Sequence, residues 1–270
     1  MKNNLILSAA IGYNFQQVEF FLKSLRKFYN QEVCFIISRE NSEFEKKLKD
    51  LNCDVIKTKI NKKKIQFERY KIYLDYLKNK HYHQILLCDS RDIYFQDNPF
   101  NYSFNSEINF FLEDQKIENC QFNTNWIIKT YGKKEFNKVA DKTILCSGTV
   151  LGNHKKIKEY LLLMYKNILK YKYKRRLKYA LTFRIDPEGR GCDQGHANFI
   201  VHNSMIDNFS FYSNSKGPFA TAYYLNKFNF DKSSKLINEN GKPYLLVHQY
   251  DKRWDIFSKN VEKFKKNIFG

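Results

Sequence analysis

Apolar and polar positions follow two different spacings through the first hundred residues. Short, nearly continuous apolar runs predict buried strands, and apolar residues at helical spacing between them predict amphipathic helices. The four predicted strands are Leu5–Ile11, Val33–Ser38, Asp54–Ile60 and Gln84–Cys88. The helices between them are predicted to begin at Asn14, at a capping box of Ser42 and Glu45, and near Phe67. Strands that alternate with helices predict a mostly parallel central sheet with helices on both faces.

The second half of the chain is less regular. The strands predicted there are Ile108–Leu112, Ile144–Leu151, Phe209–Tyr212 and Tyr244–Val247. The predicted helices are Glu159–Tyr179, Asp193–Val201 and a basic segment that closes the chain after Trp254. Because neither an internal repeat nor a clear linker interrupts the pattern, we expect a single α/β domain over residues 1–270.

Composition limits the class of protein. Hydrophobic residues make up 43% of the chain, which is ample for a core. The six cysteines form no CxxC pair, so the sequence indicates neither a zinc site nor a disulfide framework, and it fits a reducing compartment. No apolar run approaches the ~18–20 residues of a membrane span. We therefore expect a cytoplasmic protein.

The formal net charge of +19 has two interpretations. One is codon bias of an AT-rich genome, which places lysine on a solvated surface. The other is attraction to an anionic membrane, polysaccharide or nucleic acid. Late in the helix predicted over Glu159–Tyr179, basic residues alternate with tyrosines, a composition suited to an anionic membrane interface. On that interpretation the helix docks the protein peripherally at the inner membrane face through basic residues that include Lys172, Lys174, Arg175 and Arg176.

Two aspartates follow the fourth predicted strand. Asp89 and Asp92 lie where sites of α/β sheets form, at the carboxyl end of a strand. Two carboxylates are costly to place there unless a positive group lies between them, and a divalent cation that carries phosphates is suited to that position. The alternative is a strand end whose carboxylates cap a turn or pair with Arg91 and nearby lysines.

His248 follows the last predicted strand and precedes Lys252 and Arg253. A neutral imidazole could complete the coordination of a metal held by carboxylates. The positively charged side chains of Lys252 and Arg253 could bind phosphate. The alternative is an ordinary surface or core histidine.

Two further segments combine small residues with polar ones. Ser147 and Gly148 lie inside a strand, where small residues mark the close approach of a ligand or of another backbone. Asp193 and Gln194 follow a glycine-rich loop that begins at Gly189. The structural alternatives are a tight strand crossing for the first segment and, for Asp193, a helix N-cap.

Over roughly residues 4–255 the order of these segments resembles a GT-A glycosyltransferase, an α/β enzyme with a nucleotide-sugar-binding sheet. The run from Asp89 to Gln96 looks like the expanded metal motif of some bacterial and viral members. The segments that resemble the glycogenin-like family 8 are Ser147-Gly148, Asp193-Gln194 and His248 with Lys252 and Trp254. The chain departs from family 8 in having two residues between the aspartates, Cys146 in place of Asn and Arg253 in place of Pro.

The resemblance implies roles for these residues. Asp92 and His248 would ligate Mn²⁺ or Mg²⁺, and Asp89 would lie near the metal or the ribose. The catalytic set would be Asp193, Gln194 and Arg69, which act at the donor sugar, the diphosphate or the acceptor. The nucleotide sugar, with a base that Tyr13 could stack on, would contact Ala9, Ala10, Tyr13, Arg69, Asp89, Ser90, Arg91, Ser147, Gly148, Lys252 and Trp254.

The predicted function is therefore transfer of a sugar from a nucleotide-diphosphate donor, a UDP-sugar, to a glycan, lipid-linked or protein acceptor. Residues 1–107 would bind the nucleotide, 108–255 the acceptor, and 256–270 would form a basic helix. Asp193 would take the acceptor's proton in an inverting enzyme or orient the donor in a retaining one.

Other function classes remain as alternatives. A nucleotide-sugar pyrophosphorylase needs a glycine-rich, arginine-containing loop after the first strand, and Ser8–Tyr13 has one glycine and no arginine. A metal-dependent nucleotidyltransferase or nuclease needs a third carboxylate, for which Glu113 is the candidate. A nucleic-acid-binding protein would use the positive charge, but the basic residues are spread over the whole chain.

Overall fold

The computed structural model describes residues 3–62, 64–182 and 191–269, with the side chains of 172–182 left undescribed. In the first hundred residues the elements are β1 (Asn4–Ala9), α1 (Phe15–Arg26), β2 (Glu32–Ser38), α2 (Ser42–Asp50), β3 (Asp54–Thr58), α3 (Ile65–Tyr76), β4 (Gln84–Cys88) and β5 (Ile93–Phe95). The central region has β6 (Ile108–Lys116), α4 (Gln121–Tyr131), α5 (Lys133–Asn137), β7 (Thr143–Asn153), α6 (His154–Thr182) and α7 (Cys192–His202). The last elements are β8 (Phe209–Tyr212), β9 (Phe219–Thr221), β10 (Asn229–Phe230), β11 (Leu236–Ile237), β12 (Leu246–His248) and α8 (Trp254–Phe269).

Seven strands form the central sheet in the order β3-β2-β1-β4-β7-β6-β8. β7 pairs antiparallel with both of its neighbours, and the other pairs of adjacent strands are parallel. This confirms the predicted α/β class with a mostly parallel sheet. The chain moves outward from β1 to β3 and then returns to place β4 on the other side of β1. Ligands of open α/β sheets bind at such a reversal, beyond the carboxyl ends of the strands.

Alternating side chains of each strand pack on the two faces of the sheet, as the pleat requires. On one face Leu5 and Leu7 join a core with α3, α6 and α7, whereas Ile6 joins a second core with α1 and α2 on the other face. Fully burying such a side chain contributes roughly 1.5–3 kcal/mol. The two cores hold the carboxyl ends of β1 and β4 side by side, with Ser8 opposite Cys88.

A second, three-stranded sheet has the order β5-β12-β9. Its outer face packs against α8, whose Phe257, Val261 and Phe264 are buried in a third core with Tyr94. β5 follows β4 after a short turn, and β12 pairs antiparallel with it, with His248 opposite Ile93. This pairing brings the end of the chain back to the aspartates after β4.

Several local predictions are corrected by the structure. Asn41 and not Ser42 caps α2, because its side chain accepts a hydrogen bond from the Phe44 N–H. β12 begins at Leu246, since Tyr244 and Leu245 bond instead to backbone carbonyls of Leu236 and Pro218. The strand β5 and the helices α4 and α5 were not predicted at all.

All six cysteines are free and buried, as expected of small apolar residues. None of the helices in the described ranges has an apolar stretch that could cross a bilayer. The membrane-docking prediction concerns Lys172, Lys174, Arg175 and Arg176, whose side chains lie outside the described residues, so it stays a prediction. Gly189 and Arg190 of the predicted loop lie outside the described residues as well.

Candidate functional site

A cleft of about 490 Å³ opens at the strand ends where the chain reverses around β1 and β4. Segments from both halves of the chain line it, because β7 continues past the end of β4 and β12 returns beside β5. The predicted residues that line the cleft are Ala9, Tyr13, Arg69, Asp89, Ser90, Arg91, Asp92, Ser147, Gly148, Asp193, Gln194, His248 and Lys252. The structure thus brings together residues that are more than two hundred positions apart in the sequence.

Asp89, Asp92 and His248 form a compact cluster, and one donor atom from each lies within 4.8 Å of the others. The Nε2 atom of His248 is 3.5 Å from an Asp89 carboxylate oxygen and 3.6 Å from one of Asp92. This Nε2 is buried and has no hydrogen-bond partner among the described residues. Two carboxylates and an imidazole are a donor set that a divalent cation accepts, so the residues fit a metal.

The second ring nitrogen of His248 orients the imidazole. Nδ1 lies 3.2 Å from the buried Cys146 sulfur. With its proton on Nδ1, the ring donates to the sulfur and turns the Nε2 lone pair toward the aspartates, which is the usual arrangement around metal-bound histidine. Burial opposes charge on His248, but Cys146, Asp92 and Asp89 outweigh burial and raise its pKa well above the ordinary value. A cation bound to the neutral ring would displace the added proton that these neighbours favour.

Gly148 has no side chain, and this leaves room for the cluster of Asp89, Asp92 and His248. A Cβ atom at this position would lie 2.5 Å from His248 Cε1 and 2.8 Å from an Asp89 carboxylate oxygen. Such distances are not found for real side chains, so any other residue would displace the histidine or the aspartate. The backbone holds Gly148 there, because its carbonyl accepts a 3.0 Å hydrogen bond from the Asp89 N–H.

Arg69, on α3, connects the cluster of Asp89, Asp92 and His248 to Asp193 through hydrogen bonds. It donates one hydrogen bond to Asp89 at 2.9 Å and another to Asp193 at 2.6 Å. Tyr70 donates a third, 3.1 Å bond to Asp193. Burial raises the pKa of Asp193, although Arg69 acts in the opposite direction. Burial also acts to raise the pKa of Asp89, but His248 and Arg69 outweigh it, so the pKa of Asp89 is lowered.

Asp193 is not a helix cap. The N-cap of α7 is Gly191, whose φ of 86° is a left-handed conformation that glycine adopts readily, and no side chain caps this helix. Asp193 lies in the first turn of α7, 3% exposed, with its carboxylate directed to Arg69 and Tyr70. The structural alternative considered for this residue is therefore wrong.

Cationic side chains border the mouth of the cleft. Lys252 is exposed and makes no ion pair with a described residue, whereas Arg91 pairs with Asp251 at 2.6 Å and lies 3.5 Å from Asp92. The Lys62 ammonium, which sequence reasoning missed, lies 4.3 Å from the centre of the Tyr13 ring. Positive groups beside a carboxylate cluster suit a ligand with negative charge of its own.

Two predicted contacts do not reach the cleft. Successive residues turn to opposite faces, so Ala9 borders the cleft whereas Ala10 is buried in the core on the other side, with its N–H bonded to Ile36. Trp254 begins α8, is 45% exposed and packs near Tyr250 instead. Both side chains therefore lie outside the cleft lining, and their contact with a nucleotide stays a prediction.

One wall of the cleft was missed by the sequence analysis. It is made by Phe122, Asn123 and Trp126 of α4 and by Tyr223 and Tyr224 of a 3₁₀ turn. Glu113 of β6, which had been considered only as the third carboxylate of a nuclease, also lines the cleft. Burial raises the pKa of Glu113 to about 7. The i, i+4 spacing of Phe122 and Trp126 was the one available sequence signal for this wall.

No protein-family model matches this chain, and a search of curated proteins found no similar sequence. The function is therefore argued from the site itself.

Proposed function

We propose that this chain is a metal-dependent glycosyltransferase that moves a sugar from a nucleoside-diphosphate donor, a UDP-sugar, to a hydroxyl group of an acceptor. The observation that carries the proposal is the cluster of Asp89, Asp92 and His248. It supports the proposal because its buried Nε2 lacks a partner, Gly148 leaves it room, and it lies where α/β sheets bind nucleotides.

The surrounding residues supply the chemistry of transfer. A divalent cation held by the cluster would offset the charge that develops on the departing diphosphate. Lys252 adds a positive charge to the lining of the cleft, and Arg69 holds Asp193 in a fixed orientation. Tyr13 offers a ring face at the edge of β1 for the base. Asp193 then either receives the acceptor's proton or orients the donor sugar.

The nucleotidyltransferase or nuclease alternative is less well supported. Such enzymes use several carboxylates around their metal ions. Among the described residues the only cluster with metal-binding geometry holds two aspartates and one histidine, and Glu113 is not a member of it. Glu113 lies near Cys146 and Gln194 in the same cleft, outside the three-residue cluster.

A thermal unfolding assay with Mn²⁺ and UDP tests the proposal. UDP should raise the melting temperature only with the metal present, because ligands that bind the native state stabilise it by about 2.7 kcal/mol at a hundredfold excess over Kd. Asp92→Asn should remove this shift. Asp97→Asn, a nearby aspartate outside the cleft, is the matched control and should keep it.

Activity is the second measurement. A panel of nucleotide sugars with Mn²⁺ should release free nucleoside diphosphate, and EDTA should stop the release. Metal-independent UDP binding, or an Asp92→Asn protein that binds UDP as the parent does, would show that the metal assignment is wrong.

A further inference from the structure

The missed wall of the cleft presents aromatic rings to solvent. Phe122 is 68% exposed and Tyr223 is 46% exposed, and exposed rings that cluster beside a cleft mark a place where a partner can bind. Phe122 lies beside Trp126, with ring centres 5.9 Å apart, and Tyr223 lies beside Tyr224 at 4.6 Å. A 3.7 Å contact between the Cys120 sulfur and the Tyr224 hydroxyl joins the two pairs. We call Phe122, Trp126, Tyr223 and Tyr224 the aromatic wall.

Two buried hydrogen-bond acceptors line the cleft with this wall. Glu113 is 1% exposed and Asn123 is 2% exposed, and both border the cleft. Their Oε2 and Oδ1 atoms have no hydrogen-bond partner among the described residues. A buried acceptor without a donor costs about 1–3 kcal/mol. A ligand that offers hydroxyl donors would remove that cost.

The aromatic wall is also fixed against the helix that carries Asp193. A Cβ atom at Gly195 would lie 2.8 Å from the Trp126 Cβ, and one at Gly191 would lie 3.0 Å from its ring. Both glycines belong to the start of α7, which also presents Gln194 to the cleft. The two glycines therefore let Trp126 pack close to the start of α7, the helix that carries Asp193.

Resting on the proposed function, we infer that this wall is the acceptor site and that the acceptor is a saccharide. A pyranose ring has apolar C–H faces that pack on aromatic rings and hydroxyl groups that donate at its edges, so it satisfies both Phe122/Trp126 and Glu113/Asn123. A lipid tail would leave the two acceptors unpaired. Because Phe122 and Tyr223 remain exposed, further sugar units can extend outward from the cleft.

The two tryptophans of the chain allow a direct test. They are Trp126, in the cleft, and Trp254, outside it. In Trp254→Phe protein, Trp126 is therefore the single fluorescent tryptophan. With UDP and Mn²⁺ present, methyl pyranosides and short oligosaccharides should change its emission in a saturable way. The open-chain polyol sorbitol and a short-chain alkyl detergent should leave it unchanged.

Variants then locate the binding. Phe122→Ala and Glu113→Gln, each in the Trp254→Phe protein, should weaken saccharide binding about tenfold. Phe269→Ala, another exposed phenylalanine but outside the cleft, is the matched control and should leave saccharide affinity unchanged. Tyr223→Ala provides a second surface substitution that is not expected to disturb folding.

The outcomes separate the two proposals. If UDP binds with Mn²⁺ and no saccharide alters Trp126 emission, or if only the detergent does, the saccharide inference is wrong and the proposed function stands. Saccharide binding that Phe122→Ala and Glu113→Gln leave untouched also overturns the inference. If neither UDP nor saccharide binds, both proposals fail. Saccharide binding without UDP binding would support the saccharide site and would contradict the assignment of a UDP-sugar as the donor.

Discussion

The two sides of the cleft are built in different ways. On the charged side, Asp89 and His248 lie directly at the ends of strands, where backbone pairing fixes their positions. On the aromatic side, Phe122, Trp126 and Tyr223 project from a helix and a 3₁₀ turn beside the sheet. The charged side is thus held by the sheet itself, whereas the aromatic side depends on packing between added elements. We expect substitutions on the charged side to act mainly on metal and nucleotide, and those on the aromatic side to act on the acceptor and on stability.

The largest effect is expected from Gly148→Ala. The added Cβ would overlap His248 and Asp89, so Mn²⁺-dependent UDP binding should fall below detection. The measurement is UDP titration by calorimetry with Mn²⁺, and unfolding in EDTA shows whether the variant folds. Thr149→Ser, the next position along β7, is the control. If Gly148→Ala binds UDP normally, the charged side does not hold the metal.

On the aromatic side, Glu113→Gln tests the buried carboxyl. Its pKa of about 7 compares with 4.5 for an ordinary glutamate, because burial disfavours the charged form. Between pH 4.5 and about pH 7, Glu113 is ionised in the unfolded chain but still protonated in the native protein. Its contribution to the free energy of unfolding therefore falls as the pH rises through this range. The gap corresponds to about 3 kcal/mol.

The free energy of unfolding of Glu113→Gln should therefore rise by up to about 3 kcal/mol relative to that of the parent between pH 4 and pH 8. Denaturant unfolding at several pH values, in EDTA so that no cation contributes, measures this difference. Parallel stability curves for the two proteins would mean that Glu113 titrates like an exposed carboxylate and that the aromatic side is open to water.

Asp193 lies between the two sides, and its isosteric variant separates their roles. Asp193→Asn keeps the volume and avoids leaving Arg69 beside an empty space. Transfer should fall about 10²-fold, as expected on losing a proton acceptor or a positioning carboxylate, with UDP affinity nearly unchanged. The measurements are initial rates at saturating donor and UDP titration. Equal losses in both would move Asp193 to the nucleotide side.

The smallest effect is expected from Cys146→Ala, which removes the partner of His248 Nδ1. Loss of such an orienting contact typically weakens metal binding by 10–100-fold, and we expect about tenfold because the sulfur is a weak acceptor. Cys34→Ala removes another buried sheet cysteine, away from the cleft, and should leave Mn²⁺ affinity unchanged. A similar loss in both variants would indicate general loosening of the sheet.

The charged side was predictable because its residues follow apolar runs that themselves predict strands. Gln84–Cys88 was predicted with the bounds that the structure has, and Asp89 follows it directly. The aromatic side was not predictable in the same way, since α4 lacks a clear apolar stripe and the turn at Tyr223 is three residues long. The sequence pattern did not indicate that Ala10 and Trp254 lie outside the cleft lining, because it does not state which way a side chain turns beyond the end of a strand.

Local spacing in the sequence was enough to predict the alternation of strands and helices, the α/β class and the candidate residues at strand ends, because these depend on patterns over a few residues. Tertiary structure alone decided that β7 runs antiparallel between β4 and β6, and that β12 pairs with β5 to set His248 beside Asp92. It also decided that Arg69 joins Asp89 to Asp193 across more than one hundred residues. Contacts of this kind depend on how distant segments pack against one another, and no local pattern of apolar and polar residues encodes that.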